Sequence, residues 1–269
     1  MAIMIKSPQE IEKMRRSGLV VHQVLEHVRT LVKAGATTFD LEKAAAEKIR
    51  DAGAVPAFKG YHGYPCVLCT SVNEEVVHGI PSPDRVLADG DIVSIDCGVV
   101  LDGYYGDSAI TVPVGDRLSS RAKRLLQVTQ ASLESAIQAV RGGATLGDVG
   151  AAVQGVVEAD GFSVVRDFVG HGIGTRMHED PQVPNYGRRG EGIKLREGMV
   201  IAIEPMVNAG KPSVRVLPDG WTAVTEDGSL SAHFEHTVAV TSNGALVLTR
   251  PPSIEVGNGA RVTGEVAMR

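Results

Sequence analysis

The sequence predicts an α+β fold in which two related halves surround a curved, mostly antiparallel sheet covered by helices. Three observations predict it. First, GATTFDLEKAAAEKIRDAG (Gly35 to Gly53) aligns without a gap with GATLGDVGAAVQGVVEADG (Gly143 to Gly161), an offset of 143 − 35 = 108. Second, LADGDIVSID (Leu87 to Asp96) aligns with LREGMVIAIE (Leu195 to Glu204), and 204 − 96 is again 108. One offset shared by a helix-like and a strand-like segment points to duplication rather than to chance likeness between amphipathic stretches. Third, each half reads as two helices followed by several short strands, with no flexible linker between the halves. One catalytic domain over residues 1–269 is expected, with halves at about 7–115 and 118–250.

The first helix has its start written in Ser7, Pro8 and Glu10: a capping hydroxyl, a proline that costs nothing at the first turn, and an acid placed for a capping box. Leu19, Val20, Val24, Val28, Leu31 and Val32 recur at helical spacing and form its expected core stripe. Leu125, Leu126, Leu133, Ile137 and Val140 do the same in the second half. Thr37 and Thr145 each precede an Asp by three residues and are expected to cap the second helix of each half, which ends near Gly53 or Gly161. The tail from Pro251 to Arg269 has little periodicity and is assigned no role.

At 269 residues, with 43% hydrophobic and 22% charged residues and a net charge of −5, the composition is that of a globular protein with a substantial core. No run of Lys or Arg offers a footprint for nucleic acid or an anionic membrane. The N-terminus shows no long apolar segment, and nowhere does an apolar run approach the length of a membrane span. Cys66, Cys69 and Cys97 are an odd, sparse set that fits a reducing compartment better than a disulfide framework, so a cytoplasmic location is expected. Cys66 and Cys69 form C-x-x-C, but three thiols cannot complete a four-cysteine zinc site.

The chemistry concentrates in acids at the ends of apolar runs. Ile92, Val93 and Ile95 lead to Asp96, and Val200, Ile201 and Ile203 lead to Glu204, so the repeat places two carboxylates at equivalent strand ends. A buried carboxylate is costly unless paired or bound to a cation. DCGVVLDGYYGD (Asp96 to Asp107) reads as a hairpin turning at Asp102-Gly103. Positions summing to 205 then face each other, which sets Asp107 opposite Gly98 and makes Asp96 and Asp107 same-face diagonal neighbours, about 7–8 Å apart at the backbone. Glu235 falls in another strand-like run, SAHFEHTVAV, where only one of His233 and His236 can share its face. The glycines of GHGIG around His171 suggest a turn with a close backbone approach.

Together, Asp96, Asp107, HGIG with His171, IEP with Glu204, and Glu235 resemble the five-ligand set of the type I methionine aminopeptidases, and the likeness runs to about Arg250. The resemblance implies the pita-bread fold, whose pseudosymmetric halves agree with the repeat. It implies two divalent metal ions: Asp96, Asp107 and Glu235 would hold the first, and Asp107, His171, Glu204 and Glu235 the second, with Asp107 and Glu235 bridging. Two such ions neutralise four carboxylates that would otherwise repel. Mixed oxygen and nitrogen ligation suits cobalt, manganese, iron or zinc. The implied reaction removes N-terminal methionine before a small second residue, a hydroxide bridging the two metals attacking the peptide carbonyl.

In that reaction Glu204 resembles the proton relay, while His78 in NEEVVHGIP and His178 in MHEDP resemble the histidines that contact substrate and stabilise the tetrahedral intermediate. Phe58, Tyr61, Tyr64, Cys69, Met177 and Trp221 match the methionine pocket, with Met177 in place of a usual aromatic and Phe58 where a small residue is common. The remaining histidines, His22, His27, His62, His233 and His236, are read as surface or structural groups. Expected partners are peptide and nascent-protein N-termini, with a transient encounter with the ribosome, for a monomer that binds neither nucleic acid nor membrane. The short interval from His171 to Glu235 leaves no room for the insertion of the type II enzymes. A prolidase or Xaa-Pro aminopeptidase, and a non-catalytic pita-bread binding protein, are the rival readings.

Overall fold

A computed structural model describes residues 3–251; most of the aperiodic tail lies outside the described residues. Helices α1 (Pro8–Arg29) and α2 (Thr38–Asp51) precede strands β1 (Val55–Pro56), β2 (Leu68–Val72), β3 (Glu75–Val77), β4 (Ile92–Leu101) and β5 (Tyr104–Pro113). Helices α3 (Ser120–Ala139) and α4 (Leu146–Ala159) then precede β6 (Ser163–Val164), β7 (Gly170–Gly172), β8 (Glu179–Val183), β9 (Val200–Ile203) and β10 (Met206–Asn208). The last strands are β11 (Val214–Val216), β12 (Ala223–Thr225), β13 (Ser231–His233), β14 (His236–Thr241) and β15 (Gly244–Val247).

Every strand pair among the described residues is antiparallel. In one sheet β4 pairs with β1, β2 and β5; a five-stranded sheet runs β15-β14-β9-β7-β8. Two three-stranded sheets, β13-β10-β6 and β11-β12-β3, are also formed.

Local chemistry sets the helix ends. Ser7 and Glu10 complete a capping box, and so do Thr37 with Asp40 and Thr145 with Asp148. Both second helices are followed by glycines in left-handed backbone, Gly53 at φ 67° and Gly161 at φ 72°. The capping threonines also make matching bridges, Thr37 to Val86 and Thr145 to Lys194. Beside them Leu87 donates its amide to the Ala36 carbonyl at 2.8 Å, and Leu195 donates to Ala144 at 2.7 Å. Each of these pairs is displaced by 108 residues, the offset read in the sequence.

The core of α1 is Met14, Ser17, Gly18, Val21, Val24, Leu25 and Val28, so Val24 and Val28 of the expected stripe are buried. Leu19 and Val20 are partly buried, Leu31 and Val32 lie beyond the helix end, and Val20, Leu31 and Val32 pack against the same core. A backbone contact explains why the buried face also takes in Ser17 and Gly18: a Cβ on Gly106 of β5 would come within 2.7 Å of the Gly18 nitrogen and 2.8 Å of the Ser17 carbonyl carbon. Helix and strand approach so closely that the small residues must face the sheet, and the apolar face follows them. On α3, Leu125, Leu133 and Ile137 are buried as expected and Leu126 partly so.

Two apolar cores result. One joins Val21, Val24 and Leu41 of the first helices to Leu68, Val93 and Ile95. The other joins Leu125, Leu133, Val149 and Val153 to Ile201, Ile203 and Val238. The polar cleft opens where the strands from these cores meet.

Candidate metal centre

The β4–β5 hairpin turns at Asp102 (φ 51°) and Gly103 (φ 81°), the left-handed pair that a two-residue loop requires. Leu101 therefore faces Tyr104, Gly98 faces Asp107 and Asp96 faces Ala109, the register expected from the sequence. Asp96 lies in the middle of β4 rather than at a strand end, because β4 runs on to Leu101. Glu204 directly follows β9, and its carbonyl accepts from Asn185 Nδ2 at 2.9 Å.

The strand expected to carry Glu235 is broken there, since β13 ends at His233 and β14 begins at His236 in a different sheet. Its backbone is held by β5 instead. Glu235 donates its amide to Ala109 O at 2.9 Å, and its carbonyl accepts from Ser108 Oγ at 2.5 Å. Thr237 Oγ1 accepts from the Asp107 amide at 3.1 Å and donates to the Asp107 carbonyl at 2.8 Å. These bonds seat Asp107 beside Glu235 without help from either carboxylate.

His171 sits on β7, a short strand between β8 and β9 rather than the expected turn. The close approach is real: a Cβ on Gly170 would run into Ala202 O, and one on Gly172 into Asp180 O. The His171 Nδ1 lies 2.9 Å from Gly172 O, which can only accept, so Nδ1 carries the proton and Nε2 presents a lone pair. That lone pair faces Glu204 Oε1 at 3.6 Å and Asp107 Oδ2 at 3.9 Å.

Asp107, His171 and Glu235 each offer a ligand atom within 4.8 Å of the others. Burial pushes the carboxyl groups of Asp96, Asp107, Glu204 and Glu235 upward, and mutual repulsion adds to the shift for Asp107, Glu204 and Glu235. Burial also holds the His171 imidazole down at about 3. Asp96 Oδ1, Asp107 Oδ1 and Glu235 Oε1 are buried without a hydrogen-bond donor. Acceptor oxygens crowded together with a histidine lone pair, and with no Lys or Arg lining the cleft among the described residues, are a set that divalent ions satisfy. The Cys69 thiol, raised by burial and by Asp96, stays protonated and is a poor ligand.

All thirteen residues singled out in the sequence line one cleft of about 200 Å³. Phe58, Tyr64, Cys69 and Met177 form an apolar cluster with Tyr61 and Trp221 against it. The Phe58 ring occupies the space above Gly98, where a Cβ would meet it at 2.6 Å. Tyr64 Oη lies 2.9 and 3.0 Å from the carbonyls of Leu68 and Gly79, and its ring meets Trp221 edge-on at 5.1 Å. Tyr61 Oη lies 2.7 Å from His178 Nδ1, and the His178 ring is 4.3 Å from that of His171. His78 has left-handed backbone (φ 62°) and packs edge-on to Phe168 at 5.5 Å; burial lowers it to about 4.

Sequence reasoning missed Phe168 and His233, which also line the cleft. His233 shares it with Glu235, whereas His236 points away to Ser108 and Thr249. Its spacing two residues before Glu235 was the available signal, and reading it as structural discarded that signal. Cys66, Cys69 and Cys97 are all buried free thiols.

Residues 12–242 match the family model described as metallopeptidase family M24. Over 247 residues the chain is 50% identical to a methionine aminopeptidase of Clostridium acetobutylicum, covering 92% of this chain and 98% of the relative. It is 48% identical to the Escherichia coli K12 methionine aminopeptidase over 250 residues, 93% and 94% of the two chains. A crystal structure of the Thermotoga maritima methionine aminopeptidase superposes with a TM-score of 0.91 at 51% identity, over 93% of this chain and all of that one. A Pyrococcus horikoshii prolidase shares the fold alone, with a TM-score of 0.73 at 23% identity over 92% of this chain and 64% of that chain.

Proposed function

The chain belongs to metallopeptidase family M24 and is a metallo-aminopeptidase, and from this premise we propose that it releases methionine from peptide and nascent-protein N-termini when the second residue is small. The observation that carries the proposal is the meeting of Asp107, His171 and Glu235 within 4.8 Å, beside donorless carboxylate oxygens and an apolar cluster in the same cleft.

Asp96, Asp107 and Glu235 would hold one divalent ion, and Asp107, His171, Glu204 and Glu235 a second. Bound there, the ions would polarise the scissile carbonyl and make water acidic enough to attack it. The protein supplies the rest. Phe58, Tyr61, Tyr64, Cys69, Met177 and Trp221 offer aromatic and sulfur surface that suits a thioether side chain. Tyr61 donating to His178 Nδ1 leaves the proton of that neutral ring on Nε2, free to donate to an oxyanion. His78, neutral and wedged between Phe168 and Trp221, presents a second imidazole to the peptide. Glu204 accepts a proton and returns it to the leaving amine.

The low identity of the prolidase-type structures and the complete set of site residues favour this reading over the rival ones. The test uses Met-Ala-Ser: chelation should reduce methionine release to background, and about two equivalents of manganese, cobalt, iron or zinc should restore it. Activity that persists in rigorously metal-free protein, or preferential cleavage of Xaa-Pro peptides, would overturn the proposal.

A further inference from the structure

His233 is buried in the cleft at 2% exposure, and its Nε2 has no hydrogen-bond partner. Its backbone is clamped. The amide donates to Thr111 Oγ1 at 2.9 Å, and the same hydroxyl donates to the His233 carbonyl at 2.7 Å. Ser94 Oγ, 2.9 Å from Thr111 Oγ1, supplies the third contact that hydroxyl can make. On its other edge His233 pairs with Met206, two residues beyond Glu204. The ring therefore stands at a fixed height beside the Glu204 carboxylate, with Nε2 at 3.9 Å from Oε2.

The two Glu204 oxygens face two different imidazoles. Oε1 looks toward the lone pair of His171 Nε2 at 3.6 Å, an acceptor facing an acceptor, as two ligands of one cation do. Oε2 looks toward His233, whose Nε2 is free to carry a proton because nothing else claims it. We propose that His233 is a positioning residue for the reaction, donating its Nε2–H to Glu204 Oε2 and so fixing which oxygen turns to the metal side and which is left to exchange a proton. This rests on the proposed role of Glu204. Closing 3.9 Å to an ordinary hydrogen bond of about 2.9 Å takes a shift of about 1 Å, within reach of one Glu side-chain rotation.

The test compares His233→Leu, which removes the donor at similar volume, with His233→Gln, which keeps an N–H, both in metal-loaded protein on Met-Ala-Ser. The expected result for His233→Leu is a kcat lower by about 10-fold or more, with KM and a metal content of about two equivalents little changed. His233→Gln should return to within about threefold of wild type. A wild-type kcat in His233→Leu, or no rescue by glutamine, would overturn the proposal. A second readout does not depend on turnover: 15N–1H spectra of zinc-loaded, histidine-labelled protein should show His233 protonated at Nε2, with that proton shifted in Glu204→Ala. A proton on Nδ1, or an Nε2 shifted by direct zinc coordination, would overturn it as well. Should the wild-type enzyme release no methionine at all, the proposed function fails, while the spectra still decide the His233 contact.

Discussion

Replacing Lys6 by methionine probes the ion pair that closes the loop carrying Met177 and His178. Lys6 Nζ lies 2.5 Å from Glu179 Oε2, and the side chains are only 6% and 2% exposed. The other Glu179 oxygen accepts from the backbone amides of Thr175 and Arg176 at 3.0 and 3.3 Å, closing the turn that carries Met177 and His178. The loop is tied on its far side by Tyr105, which donates its amide to Gly174 O at 2.8 Å. Removing one partner of a buried pair costs about 3–5 kcal/mol, and the two amides left to Glu179 place this case near the lower end. For a chain of this size about 3 kcal/mol corresponds to a melting temperature lower by about 6 °C. Calorimetry of Lys6→Met against wild type, both metal-loaded, measures it. The double variant Lys6→Met/Glu179→Gln should regain much of the loss, because no unpaired charge then remains while the Gln oxygen still accepts from the two amides. A single variant melting within about 1 °C of wild type would refute the reasoning.

Two further outcomes follow from the histidines. Tyr61→Phe leaves the pocket apolar but frees His178 Nδ1, so kcat should fall by about tenfold while the melting temperature holds, read by steady-state kinetics and a thermal scan. His78→Ala should lower turnover by about 100-fold without unfolding the chain, because His78 packs on Phe168 and Trp221 at the cleft rather than within either core; wild-type kinetics would remove it from the mechanism.

What the sequence revealed follows from how local each determinant is. The capping boxes at Ser7, Thr37 and Thr145 were legible because they are written within four residues, and the β4–β5 register because Asp102-Gly103 fixes it at the turn. The face of α1 was read in part, through Val24 and Val28, but Ser17 and Gly18 were not, because their burial is set by a contact between Gly18 and Gly106, 88 residues apart, that no periodicity records. Glu235 was placed in a continuous strand on the strand-like run SAHFEHTVAV; the break arises where its backbone hydrogen-bonds to Ala109 and Ser108 in another sheet. His233 was passed over for the same reason. Its spacing to Glu235 was legible, but its place 3.9 Å from Glu204 follows from the pairing of β10 with β13.

Backbone bonds, more than the charges they carry, build this cleft. Asp107 and Glu235 are held by Thr237, Ser108 and the amide of Glu235, Glu204 by Asn185, and His171 by strands on both sides. Each of these contacts is made by backbone or uncharged side-chain groups, so the framework does not draw on the charges of the carboxylates. The cost falls on the carboxylates, which are brought together in low-dielectric surroundings that push their protonation upward. That repulsion is what two divalent ions held there would neutralise. Because Asp96 and Asp107 come from the first half of the chain and His171, Glu204 and Glu235 from the second, the ions would also bond the two apolar cores to each other across the cleft where substrate must lie.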